Sequence, residues 1–265
     1  MVLSIIRPLW LYKGFVWSNV QREFQLRYRD SLLGALWTVL NPLANIFVFT
    51  LIFSQLMRAR LPGVEGPFAY SIYLCAGSLT WEYFSEIVRR AQNTFLENGN
   101  LIKKISFPKL CLPLIVIANA SVNFAIIFGL FTFFLLITGN FPGLVYFGIF
   151  PVLAIQVAFS IGLGISLGVL NVFFRDVGQF FGIVLQFWFW LTPIVYVGTT
   201  LPESVRNLMK WNPMAGAIAA YQRVLLYKEW PDFTSLMPLI VCAIVFCGLG
   251  MILFKQRAGE MVDEL

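Results

Sequence analysis

The feature that most constrains this chain is the stretch Leu110–Phe174, which runs for 65 residues without an Asp, Glu, Lys or Arg. A hydrocarbon core about 30 Å thick is crossed by roughly 20 apolar residues rising ~1.5 Å each. The stretch is too long for one crossing and too apolar for a water-facing surface. Near its middle stands Thr138-Gly139-Asn140-Phe141-Pro142-Gly143, a strong turn signal, which divides it into spans over 110–137 and 144–172. The whole chain matches this bias: 59% of its 265 residues are hydrophobic, against about 45–50% in soluble domains, and 12% are charged, against about 25%. An ordinary water-soluble protein is excluded. A membrane β-barrel is excluded too, because the apolar runs are continuous rather than alternating.

Four further spans are predicted at 32–53, 70–88, 177–198 and 233–254, giving an all-α polytopic membrane protein of six transmembrane helices in a single domain, 1–265. The 70–88 span is the least apolar, since Glu82 and Glu86 lie within it. An even number of spans puts both termini on one side. Of the 19 basic residues, 13 fall on that side and 6 on the other, so the positive-inside rule places both termini in the cytoplasm. Residues 1–30 do not read as a signal peptide, because Arg7-Pro8 breaks the apolar opening and no small-residue cleavage site follows. Trp10, Trp17, Val20 and Phe24 instead recur at helical spacing with Lys13, Arg22, Gln25 and Arg29 between them, which predicts a helix over about 10–30 lying in the membrane interface or a plain juxtamembrane linker.

The inventory of reactive groups is poor. Histidine is absent, removing the commonest general base and metal ligand. Cys75, Cys111, Cys242 and Cys247 sit in or beside apolar runs without a CxxC, so they read as buried free thiols and no metal site is expected. No catalytic constellation is formed and no catalytic residue is assigned. The intramembrane acids Glu82 and Glu86 are spaced i,i+4; they fit a proton or cation relay or, as the favoured reading, ion pairing with Arg89, Arg90 or a neighbouring helix. No GxxxxGK[ST] phosphate loop exists, so ATP-driven work has to come from another polypeptide. The +6 net charge is spread between apolar runs, which argues for membrane-flanking residues and against nucleic acid as a partner.

Polar stripes mark the candidate working surfaces. Gly34, Thr38, Asn41 and Asn45 share one face of the first span, which has to meet another helix or a watery passage. Ser160, Gly164 and Gly168 at spacing four allow close helix packing. Gln179, Gly182, Gln186 and Trp190 lie at nearly one helical phase in the fifth span; amides and aromatic planes suit a sugar chain, although Trp near a span end also serves as an interfacial anchor. Between spans five and six, 202–227 reads as two short helices broken at Asn212-Pro213, the second carrying Ala217, Ile218, Tyr221, Val224 and Leu225 on one face. Such a pair forms a re-entrant hairpin or a surface-lying one. The basic loop 90–109 contains an Asn98-Gly99-Asn100 turn and the stretch Leu101-Ile102-Lys103-Lys104-Ile105, and serves as a solvated loop or a docking element.

Three stretches then carry a resemblance: Arg29-Asp30-Ser31-Leu32-Leu33-Gly34-Ala35-Leu36-Trp37 with Asn41-Pro42-Leu43; Phe174-Arg175-Asp176 leading to Leu191-Thr192-Pro193-Ile194-Val195-Tyr196; and Trp211-Asn212-Pro213-Met214. In this order, over essentially the whole chain, they resemble the type-2 ABC exporter permeases, most of all the O-antigen and capsular polysaccharide export permeases of the Wzm-like group. The resemblance implies a homodimer of six-span subunits in the bacterial inner membrane, paired with two copies of a P-loop ATPase that binds ATP and Mg; this chain itself would be no enzyme and hold no cofactor. It implies an ATPase-coupling helix within 98–107, with Leu101, Ile102, Lys103, Lys104 and Phe107 as docking residues, and periplasmic gate helices within 202–227, with Trp211, Asn212, Pro213 and Tyr221. It also implies a path for a lipid-linked polysaccharide lined by spans one and five, the spans holding Gly34, Thr38, Asn41, Asn45, Gln179, Gln186 and Trp190. The alternatives are a teichoic-acid or drug exporter of the same architecture, an ion- or proton-coupled carrier using Glu82 and Glu86, and a membrane-embedded transferase.

Overall fold

A computed structural model describes residues 12–28, 66–104, 107–198 and 201–265, with isolated positions between 36 and 64. The helices are α1 (Lys13–Tyr28), α2 (Ala69–Glu97), α3 (Gly99–Lys104), α4 (Cys111–Ile137), α5 (Ile149–Phe173), α6 (Asp176–Trp190), α7 (Glu203–Met209), α8 (Pro213–Gln222), α9 (Met237–Arg257) and α10 (Glu260–Glu264). A 3₁₀ turn at Gly143–Gly148 leads into α5 and a π turn at Arg223–Tyr227 follows α8. Among the described residues there is no strand, only an isolated bridge between Leu61 and Val64. The described residues are all-helical, as expected. Three helical segments among the described residues are long and apolar enough to cross a membrane: Cys111–Ile137, Gly143–Phe173 and Met237–Arg257. The expected first span, 32–53, lies outside the described residues except at isolated positions.

Elsewhere the helix boundaries differ from the sequence expectation for identifiable reasons. The helix expected over 70–88 continues to Glu97, so residues 90–97 of the predicted basic loop belong to α2. Arginine is a good helix former, and Arg90 pairs with Glu86 one turn back at 3.4 Å, so the charges extend the helix instead of ending it. The span expected over 177–198 is helical only to Trp190. Pro193 disfavours helical geometry at the residue before it, and 191–198 is a turn. At 15 residues, α6 is about 22 Å long, shorter than a bilayer's hydrocarbon core. The turn predicted after Ile137 is built as read: Gly139 takes a left-handed φ of 71°, Asn140 N–H donates to Leu135 O at 2.9 Å and Gly139 N–H to Leu136 O at 3.2 Å, the paired bonds of a glycine C-cap.

The bundle is organised around α2, of whose 29 residues 20 are buried. α5 packs against α2 on one side and α9 on the other. Both approaches depend on missing side chains. A Cβ at Gly164 would lie 2.5 Å from the Ala91 Cβ, and one at Gly168 would lie 2.8 Å from the Ala91 carbonyl oxygen. On the opposite face a Cβ at Gly162 would lie 2.5 Å from the backbone nitrogen of Cys247. Small residues that bring backbones together are the usual cement between helices in lipid, where burial of apolar surface gives no advantage. α4 buries a stripe through Leu112, Val116, Ala120, Phe124, Phe128 and Phe131, the first half-dozen turns of a seam facing the core. Its other side, with Phe133 and Ile137 at 61% and 70% exposure, is apolar and open, as are Ile244 and Ile252 on α9. Cys75 and Cys111 are buried free thiols as expected, but Cys242 is half-buried and Cys247 exposed.

Helix approach should be the limiting feature of stability. Gly162→Leu places a side chain against the α9 backbone and should destabilise the protein by about 1–3 kcal/mol. Gly129→Leu, where nothing lies within 4 Å, should leave the thermal midpoint of the detergent-solubilised protein unchanged. A Gly162→Leu midpoint equal to wild type would remove this contact from the account.

Candidate functional site

Two asparagines set how α6 stands against α2. Asn171, buried near the end of α5, donates from Nδ2 to Gln92 O and to Asn93 Oδ1, both at 3.1 Å, and its Oδ1 accepts from Gly178 N–H at 2.9 Å. Gln92 Nε2 adds a bond to Gly178 O at 3.3 Å. One amide thereby ties α5, α2 and the first turn of α6 together. At the other end of α6, Asn212 Oδ1 accepts from Trp188 Nε1 at 2.8 Å and from Met214 N–H at 3.1 Å, while Nδ2 donates to Thr192 Oγ1 at 3.1 Å. Asn212 is the N-cap of α8 and Pro213 its first helical residue, where proline's missing N–H costs nothing. The turn after α6 is held to α2 by tyrosines: Tyr70 donates to Val195 O at 2.6 Å and Tyr73 to Tyr196 O at 2.9 Å.

Between these two ties α2 and α6 enclose an open groove of about 560 Å³. Its α2 wall is a polar stripe, Glu82, Ser85, Arg89 and Asn93, at steps of three, four and four along one helix face. Its α6 wall presents Gly182, Gln186 and Trp190. Gln186 and Trp190 are exposed, Trp190 at 60%. Among the described residues the side chains of Glu82 and Arg89 have no ion-pair or hydrogen-bond partner, although they share the stripe; Ser85 Oγ donates to the Glu82 backbone carbonyl at 3.0 Å. With Gln92 also in its lining, the groove therefore offers three amides, a hydroxyl, one charge of each sign and an open indole. That set exchanges hydrogen bonds with hydroxyl-rich molecules and packs on their CH faces.

The expected site residues divide. Gln186 and Trp190 come together in the groove, while Gln179 is exposed about two turns before Gln186, towards the α6 start, without lining it. Gly34, Thr38, Asn41 and Asn45 lie outside the described residues. The α2 stripe was not singled out as a lining surface from sequence; the regular spacing of 82, 85, 89 and 93 was the available signal. Glu86 points away from the groove, accepting from Asn123 Nδ2 at 3.0 Å beside its pair with Arg90, which also pairs with Glu23 of α1. Of the gate positions, Trp211 is 80% exposed, Asn212 is the hub just described, Pro213 is half-buried, and Tyr221 is fully buried. The predicted α8 face, Ala217, Ile218 and Tyr221 with Val224 and Leu225 beyond it, is indeed buried, packed on α2, α5 and α9.

At the far end of α2, the expected docking residues also divide. In α3 Lys103 and Lys104 are exposed and Leu101 half-buried, but Ile102 is buried in a second apolar cluster with Phe95, Leu112 and Met261. Phe107 is half-buried, its ring 5.5 Å from that of Phe15 on α1. Ile102 therefore anchors α3 and is not part of an exposed surface. The cluster that seats α3 includes α10, whose Met261 is fully buried.

Known proteins resemble this chain over nine-tenths or more of its length. The chain is 32% identical over 267 residues to an O-antigen export system permease protein RfbA of Myxococcus xanthus, covering 100% of both chains. It is 29% identical to an RfbA permease of Klebsiella pneumoniae over 92% of each chain, and 22% identical to the polysialic acid transport protein KpsM of Escherichia coli over 92% of this chain and 93% of that one. The profile of the ABC-2 type transporters matches residues 15–226, which spans the groove and both of its asparagine ties, and the chain belongs to this membrane transporter family.

Proposed function

We propose that this chain is the membrane-spanning subunit of an ATP-driven exporter that moves a lipid-linked polysaccharide, of O-antigen or capsule type, across the bacterial inner membrane. The observation that carries the reading is the groove between α2 and α6, whose amides, hydroxyl and open indole are the chemistry a glycan needs. Relatives matched over nine-tenths or more of the chain, O-antigen export permeases and a polysialic acid transport protein, supply the substrate class. The subunit works as a homodimer of six-span chains with cytoplasmic termini, and α7 and α8 act as the outer gate. ATP and Mg are bound by a separate P-loop ATPase in two copies, which presses on α3.

A polysaccharide slides, so each contact has to be easy to leave. Exchangeable hydrogen bonds from Gln186 and Asn93, worth about 0.5–1.5 kcal/mol net each, meet that need. Trp190→Ala should slow surface-polysaccharide export only modestly. Gly182→Trp, which fills an open position on the α6 wall, should stop it at matched expression in a permease-null strain. Normal export by stably inserted Gly182→Trp would remove the groove from the path.

An ion-coupled carrier is the second reading, because Glu82 faces the groove without a partner among the described residues. It predicts that Glu82→Gln abolishes transport and that a protonophore does so at constant ATP. The exporter reading expects at least half of wild-type export in both cases.

The coupling reading has its own test. Lys103→Glu with Lys104→Glu reverses the exposed charge of α3 and should abolish co-purification of the ATPase while the chain still inserts. Ile102→Asp should instead lower the yield of folded protein, since a buried carboxylate with no partner costs at least about 2 kcal/mol. ATPase binding by the double lysine variant equal to wild type would refute docking at α3.

A further inference from the structure

A second cavity, of about 770 Å³, lies outside the groove. Tyr73 near the start of α2, Pro193 just past the end of α6 and Pro238 in the first turn of α9 all line it. α9 is one of the membrane-length helices, so its first turn marks the edge of the hydrocarbon core. The cavity sits at that edge, at the depth of lipid head groups. The helix that closes it, α7, has the same address: Val205, Leu208 and the following Trp211 are exposed apolar residues, with Trp the usual anchor at that depth.

Its lining is amphiphilic. The floor is Met209, Ala215, Ala219 and Val197 with the aromatic ring of Tyr73, and the rim carries Arg206, Lys210, Arg223, Glu229 and Asp232. Three of those charges are already answered. Arg223 pairs with Glu229 at 2.9 Å, and Asp232 accepts from the Thr234 hydroxyl and its N–H, bonds that hold its carboxyl below the usual carboxylate range. Arg206 has no side-chain partner among the described residues, and Lys210 bonds only the neutral Asn207, at 2.8 Å. These two cations stand at i,i+4, Arg206 in the last turn of α7 and Lys210 at its C-cap, an arrangement that repels itself until an anion lies between them. A cavity of this size and lining takes a ligand with an apolar tail and a single anionic head.

We propose that this cavity is a binding site for an anionic glycerophospholipid of the membrane, its phosphodiester held between Arg206 and Lys210 and an acyl chain on the floor formed by Met209, Ala215 and Ala219. The site lies outside the groove, against the helices assigned above to the outer gate, and it takes a membrane lipid and not the exported substrate. Bound lipid would hold α7 against the bundle, giving the outer segment a dependence on lipid charge.

The test uses the full chain in phosphatidylcholine nanodiscs doped with phosphatidylglycerol, or equally with a polyprenyl phosphate, and native mass spectrometry of the released protein. The expected result is phosphatidylglycerol retained about thirtyfold over phosphatidylcholine, as two interfacial cations provide. The enrichment should fall to near parity in Arg206→Gln/Lys210→Gln and in Ala219→Trp, which fills the floor, while Lys255→Gln at the other end of α9 keeps it. Equal retention of the two phospholipids by wild type, or enrichment undiminished in the double variant, overturns the site. Preferential retention of the polyprenyl phosphate assigns the cavity to a lipid carrier and overturns the phospholipid assignment.

Discussion

The rest of this structure depends on backbone-to-backbone contact between α5 and its two neighbours. In lipid, helices gain nothing by hiding apolar surface from a solvent that is itself apolar, so close van der Waals fit and hydrogen bonds have to hold them. Gly164 and Gly168 seat α5 on Ala91 of α2, and Gly162 seats it on the backbone of α9. Because α5 is fixed at that distance, Asn171 near its end reaches both the Gln92 carbonyl and the Gly178 N–H. The position of α6, and the width of the groove, follow from that reach.

The same arrangement divides the molecule into two ends. The large apolar cluster surrounds α2, α4, α5 and α8, while the smaller one joins α1, α3 and α10 through Phe15, Ile102 and Met261. Arg90 stands between the two, pairing with Glu86 on its own helix and with Glu23 on α1. A push on α3 thereby meets α2 and α1 together instead of a free loop. Under the exporter reading this is how movement at the ATPase reaches the groove wall, since Arg89 and Asn93 are on the same last turns of α2.

Much of this was legible in the sequence, and what was not has physical causes. The uncharged run, the turn at Gly139 and the buried face of α8 were readable because hydropathy, a left-handed glycine and helical periodicity are local signals. Gly164 and Gly168 were read as packing residues, whereas Gly162 was missed because its partner, Cys247, is 85 positions away and nothing in the spacing points to it. The extension of α2 to Glu97 was missed because charges were read as a membrane boundary, although they continue a helix. Ile102 was read as surface within a basic stretch, but the apolar residues that bury it come from α2, α4 and α10. The polar wall of α2 was masked for the same reason: its residues acquire a common purpose only when α6 stands opposite.

The central claim is that the groove between α2 and α6 is the glycan's path, and contact is the most direct measurement of it. A photo-crosslinking amino acid at Gln186, in cells that produce and export the polysaccharide, should give a glycan adduct that depends on ATP hydrolysis. The same probe at Phe133, on the open apolar face of α4, should give none. No adduct at position 186 while export proceeds, or an equal adduct at position 133, would contradict the account.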